Sequence, residues 1–122
     1  MNVKITASIL CVLFWSGIVS AATDTWSTKV TQFLVDDSQF GGCLAFLSVP
    51  PSSRSAISCP SGWVSFDCTG TVNSKSEGSI KLGAAQLAFV TDKCIIVTAN
   101  DAVTFNGQCH APTVNLTSSS SC

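Results

Sequence analysis

Hydrophobic and polar positions change period once along this chain, from two to nearly four residues and back again. Thr25–Val35, rich in Thr, Val, Trp and Phe, predicts a first strand closed by a turn at Asp36-Asp37-Ser38. Phe40–Val49 predicts a second strand, entered through Gly41-Gly42, where a bend or bulge is tolerated. Pro50–Ser55 reads as loop, Ile57–Cys59 as a short strand, and Pro60-Ser61-Gly62 as a break. Trp63–Cys68 then alternates and places Val64, Phe66 and Cys68 on one face. The longer period follows. Ser74-x-x-Glu77 is a capping-box pattern and predicts a helix running to about Thr91. Ile80, Ala84, Leu87, Ala88 and Thr91 share one face at helical spacing and form the expected core stripe, while Leu82, Ala85 and Phe89 gather on nearly the opposite side. Cys94–Ala99 returns to a β-branched strand, Asn106-Gly107 signals a hairpin, and Gln108–Leu116 is the last strand. The order β-β-(β)-β-α-β-β predicts a strand-dominated α+β domain.

The residues before Thr25 follow a different logic. Met1–Ala21 has the form of a secretory signal peptide: Lys4 at the start, an apolar run from Ile5 to Val19, and small residues at Val19-Ser20-Ala21. It is too short to favour a permanent anchor, and Leu10 before Cys11 argues against lipoprotein processing. The expected organisation is a leader (1–21), one domain (22–117) and a Ser-rich tail (118–122). Export also explains the cysteines. Beyond Cys11 the chain keeps an even set of six, Cys43, Cys59, Cys68, Cys94, Cys109 and Cys122, which predicts a disulfide framework in an oxidising compartment, secreted or periplasmic. A domain of roughly 100 residues is marginal without such help. Past the leader five basic residues face seven acidic ones, and neither sign clusters. No basic face for phosphate can be assembled, so nucleic acid is not an expected partner.

Catalytic chemistry is thinly represented. His110 is the single histidine, and no nucleophile-elbow pattern surrounds any serine, so His110 reads as a strand residue beside a bridged cysteine. Cysteine nucleophiles are disfavoured when an even set is consumed in bridges. No C-x-x-C or H-x-x-x-H spacing points to a metal, and no cofactor is expected. The adjacent Asp36 and Asp37 face opposite ways on an extended chain and suit a solvated turn. Asn115-Leu116-Thr117 fits the N-glycosylation pattern, a match that is incidental if the source is bacterial. There is no tyrosine, so Trp26 and Trp63 must supply any stacking surface beyond the leader, although tryptophan in a small barrel is more often half-buried core.

Trp26-Ser27, Val30-Thr31-Gln32-Phe33, Cys43 with its Ser-rich loop to Ile57-Ser58-Cys59, the apolar helix and the strand after it together resemble the B subunits of subtilase cytotoxin and typhoid toxin. The resemblance spans roughly Trp26–Ala99 and departs in the missing tyrosines. Gly41-Gly42-Cys43, Trp63–Cys68 and Asn106–Cys109 are also similar to a group of small exported proteobacterial proteins. The first resemblance implies an OB-like β-barrel with one packed helix, assembly into a homo-oligomer (a pentamer), and binding of a glycan or protein receptor rather than catalysis. Carried onto this chain it implies ligand contacts at Trp26 and Ser27, beside Trp63, and an oligomer contact through Leu82, Ala85 and Phe89. Cys43 and Cys59 bracket the Pro/Ser loop, and the resemblance places a bridge there; six cysteines otherwise allow fifteen connectivities. A different class of function, a secreted enzyme inhibitor or interaction domain docking through Pro50–Ser55, is the alternative expectation.

Overall fold

A computed structural model describes residues 20–122, so the expected leader lies, except for its last two residues, outside the described residues. The chain forms β1 (Thr23–Thr28), β2 (Val30–Val35), β3 (Cys43–Leu47), a 3-10 turn (Pro51–Ser53), β4 (Trp63–Ser65), α1 (Lys75–Thr91), β5 (Ile95–Phe105) and β6 (Gln108–Leu116). All six strands join one sheet in the order β1-β5-β6-β4-β3-β2. Every pairing is antiparallel except β4 with β6, which is parallel.

The expected single first strand is broken at Lys29. Its halves occupy opposite edges of the sheet although one residue separates them. The sheet must therefore curve until its edges meet at this point. Thr28 holds the corner: fully buried, it accepts a bond from the Val49 N–H at 2.9 Å, while the Ser48 N–H donates to the Lys29 carbonyl at 2.9 Å. No strand pairing joins β1 to β2, so the sheet is not closed into a barrel. Ile57–Cys59, expected as a strand, is irregular, because Asp101 rather than a neighbouring strand takes the Ser58 N–H.

The concave side carries the core. Trp26, Val30, Ala45, Leu47, Val64, Phe66, Ile95, Val97 and Ala111 pack together, with Ala85 and Ala88 of α1 laid over them. The helix begins where its sequence says it should: Ser74 accepts from the Glu77 N–H and the Glu77 carboxylate accepts from the Ser74 N–H. Its buried face is a correction. Gly78, Ala85 and Ala88 are buried and Leu82 packs against the core, whereas Ile80 and Leu87 are exposed. Two local contacts choose this face. A Cβ at Gly78 would lie 2.4 Å from the Asp67 carbonyl oxygen, so the glycine lets the helix seat directly on the Asp67-Cys68 backbone. Lys81, on the same side, donates to Asn73 Oδ1 and to the Ala111 carbonyl. Apolar residues ring this helix, so periodicity alone had little to discriminate with. Ala85 cannot belong to an outward contact surface; it is fully buried.

The bridges also differ from expectation. Cys43 pairs with Cys68, not with Cys59; Cys59 pairs with Cys109 and Cys94 with Cys122. Cys43 faces the core from β3, and the turn after Phe66 brings Cys68 to it, with its N–H on the Gly41 carbonyl at 2.7 Å. Cys59 instead reaches β6, clipping the long β3–β4 connection to the far side of β4. The Ser-rich tail is pinned rather than loose: the Cys94 N–H donates to the Ser119 carbonyl and Cys122 closes the bridge.

Two outcomes follow from this packing. Gly78→Ala should destabilise the domain by about 1–3 kcal/mol through overpacking, although alanine in a free helix would gain about 1 kcal/mol; urea titration reads the sign. Replacing Cys59 and Cys109 together by serine opens a 50-residue separation and should cost about 4 kcal/mol in the loop-entropy model. The same pair of changes at Cys43 and Cys68, 25 residues apart, should cost about 3.5 kcal/mol.

Candidate functional site

Strand alternation separates the two tryptophans. Trp26 points into the core, 6% exposed, with its indole N–H on the Val49 carbonyl at 2.9 Å. The Arg54 guanidinium lies 5.3 Å from its ring centroid and is held there by Asp24 at 2.6 Å. Both ring faces are thus committed to structure, which corrects the expectation of a ligand contact at Trp26. Ser27, its neighbour, is exposed on the opposite face, in register with Ile96 and through it with Asn115. The structure does not bring Ser27 together with Trp63: β5 and β6 lie between their strands.

Trp63 belongs to a row on the convex face. Cys43, Ala45 and Leu47 of β3 face the core, so Phe46 faces away from it. It is paired with Trp63 on β4 and with Gln32 on β2. The Phe46 and Trp63 rings meet edge to face, 5.2 Å between centroids, and both are half-buried. One step beyond, Gln108 of β6 stands beside Trp63, and Phe105 is its partner across the hairpin. The row Gln32–Phe46–Trp63–Gln108–Phe105 crosses five strands and contains no charged side chain.

Small residues shape this row. A Cβ at Gly62 would fall 2.4 Å from the Phe46 ring, so the glycine lets that ring lie against the backbone before Trp63. The Ser61 hydroxyl donates to Gln108 Oε1 and accepts the Trp63 backbone N–H at 3.1 Å, tying the Gln108 side chain to the start of β4. Asn106 and Gly107 both adopt positive φ, the type I′ hairpin geometry, and so present Phe105 and Gln108 side by side. Sequence reasoning singled out Trp63 but not Phe46, Gln32 or Gln108, its neighbours in the row. Only strand register assembles them, and register was not available before the pairing was known.

Next to the row lies a buried polar network. Leu44, Ser65 and His110 form the adjacent register step and are covered by Gly41 and Phe105, whose ring meets His110 edge to face at 6.0 Å. Asn73 ties this network together. Its amide group donates to the Asp67 and Ser74 carbonyls, so its Oδ1 is the acceptor for both Lys81 Nζ and His110 Nε2, each at 2.9 Å. His110 must therefore carry its proton on Nε2. Asp67, at φ +56°, accepts at its carboxylate from the Thr69 hydroxyl and from the amides of Gly70, Thr71, Val72 and Asn73. Burial pushes this carboxyl upward, but the bonds from Thr69, Val72, Asn73 and Thr71 outweigh it and hold it well below the usual carboxylate range. No carboxylate bonds to His110 among the described residues, and none of them form a group of three or more metal-capable side chains. This network ties the turn after β4 to α1 and β6.

No pocket is present among the described residues. Comparison with known proteins returns no matching family model, no matching curated protein and no matching solved structure.

Burial, and then the nearby Lys81 charge, lower His110 below its ordinary 6.5, with Asp67 opposing. As pH falls, the unfolded chain therefore takes up the imidazole proton first. The contribution of His110 to stability is intact above pH 6.5 and declines below it until the folded imidazole also protonates. His110→Gln keeps a donor for Asn73 and removes the titration; it should flatten the slope of stability against pH in that interval, read from urea midpoints.

Proposed function

We propose that this chain is an exported binding module built as an OB-like barrel, with the Phe46–Trp63 row as its ligand face and a glycan as its ligand. The observation that carries this reading is the half-exposed aromatic pair flanked by two amides, Gln32 and Gln108. Indole and phenyl faces pack on sugar C–H surfaces, and amides exchange hydrogen bonds with hydroxyls at their edges. The absence of any charge in the row favours a neutral sugar.

The barrel reading rests on order and position. Counted as one bent strand, β1 and β2 bring the sheet order back to its start, giving five strands with one helix between the third and fourth. OB-type barrels bind through their second and third strands and the loops beside them. Here those strands are β3 and β4, which carry Phe46 and Trp63, and the Asn106-Gly107 turn lies at the same end. Three disulfides suit the secreted or periplasmic location that this function needs. Among the described residues no helix is long and apolar enough to cross a membrane.

A second reading, protein docking through Pro50–Ser55, is favoured by one observation: the loop is preorganised. Its 3-10 turn is closed by Ser53 and Arg54 amides on Pro50 and Pro51, Ser52 bonds to the Ser61 carbonyl, and Arg54 is locked on Asp24. A rigid loop loses little entropy on binding.

A glycan array probed with the oxidised protein separates the two. Trp63→Ala should reduce sugar binding roughly tenfold or more while leaving the fold cooperative. Trp26→Ala should instead cost about 3–5 kcal/mol of stability. No sugar bound, together with a one-to-one complex with a hydrolase, would favour the docking loop.

A further inference from the structure

We infer that a second copy of this chain docks on the face formed by the outer side of α1 and the free edge of β2, the two copies related by a two-fold axis with their β2 strands paired antiparallel. From Ser79 to Thr91 the helix has one charged residue, Lys81, and that residue is turned inward onto Asn73 and the Ala111 carbonyl. What remains outside is apolar or neutral: Ile80 is 68% exposed, Val90 73%, and Leu87 lies between them. A Cβ at Gly83 would meet nothing, so the middle of this surface is open to close approach.

The surface continues onto β2. Phe89 of the helix and Phe33 of the strand meet edge to face at 5.6 Å, both partly exposed. Beyond them the strand is apolar on both sides. Phe33 and Val35 pair with the core-facing Ala45 and Cys43, Leu34 with Leu44 on the other face, and all three β2 residues are exposed. A strand apolar on both faces is normally an interior strand. Yet β2 is an edge, and Val30–Val35 carries neither the charge nor the proline by which edges are protected from pairing.

These features select the occupant. A free strand edge and an uncharged apolar helix face are each their own complement, as a two-fold interface requires. The nearest charges stand at the ends of β2, Lys29 before it and Asp36-Asp37 after it, so antiparallel pairing of two copies sets opposite signs against each other across the axis. Antiparallel β2–β2 pairing would satisfy the backbone groups that β3 leaves free and extend the sheet across the axis. It would also carry the two α1 helices toward each other and cover Phe33, Phe89 and Val90. The inference does not rest on the ligand reading, although β2 supplies both Gln32 of the row and the free edge of this face.

Sedimentation velocity of the oxidised protein across the micromolar range tests it. The expected result is a reversible dimer, weakened at least roughly tenfold by Leu34→Lys and by Val90→Lys. Both side chains are exposed in the single subunit, so thermal melts should show each variant still folded. Hydrogen exchange on the unmodified protein gives an independent reading: β2 amides should exchange faster on dilution while those of β6 do not. A monomer persisting into the high micromolar range, a ring of more than two subunits, or a dimer indifferent to both variants would overturn the inference, whether or not a sugar is bound.

Discussion

One buried carboxylate sets the geometry on which the rest of the molecule depends. Asp67, two residues beyond β4, adopts a left-handed conformation and gathers the Thr69 hydroxyl and four successive amides, Gly70 to Asn73, around its two oxygens. An isolated charge in that position would be costly, and its stability comes from the completeness of its partners. The turn so formed does three things at once. It delivers Cys68 to Cys43 on β3, it places Ser74 to cap the helix, and it leaves the Asp67 carbonyl flush against Gly78. Asn73, the last amide of the set, then reaches across to Lys81 and His110 and couples the turn to helix and sheet. Sheet, helix and one bridge are thus aligned by a single side chain.

How much of this the sequence announces depends on how local the cause is. The helix start, the Asn106-Gly107 hairpin and the alternation before Phe66 are decided within a few residues, and each was legible. The break at Lys29 was not. Nothing in Thr-Lys-Val marks a corner, because the corner is made by Thr28 bonding to Ser48 and Val49, some twenty residues away. Cysteine pairing failed for a related reason. Cys43 and Cys59 are close in sequence, but the Asp67 turn folds Cys68 back onto β3 while Cys59 is carried past β4 to β6. The helix face was misread because Lys81, by composition a solvent residue, is drawn inward by Asn73.

The same dependence on register governs the candidate site. Trp26 and Trp63 are indistinguishable as residue types, yet parity within their strands sends one into the core and the other onto the convex face. Trp63 acquires significance only from what stands next to it. Phe46, Gln32, Gln108 and Phe105 are scattered over more than seventy residues of sequence, and strand pairing alone puts them in one line. Glycine at 62 could have been a signal, but the need for it, a phenyl ring lying where a Cβ would be, is visible only after folding.

Charge distribution connects these surfaces. The chain has few charged side chains, and most are engaged in holding structure. Arg54 pairs with Asp24, Lys29 with Asp92, and Glu77 caps the helix. Asp101 accepts amides from Ala22 and Ser58, tying the residue before β1 and the long β3–β4 connection to β5. Lys81 and Asp67 belong to the buried network. Engaging charges in this way leaves both the convex row and the helix–β2 face neutral. The recognition proposed at either would then come from shape, apolar contact and hydrogen bonding, with little long-range steering and little sensitivity to salt. Such contacts are weak one at a time, and the proposed binding module would gain most from presenting two ligand faces at once. A dimer would do so, because effective concentration multiplies modest affinities without any new contact.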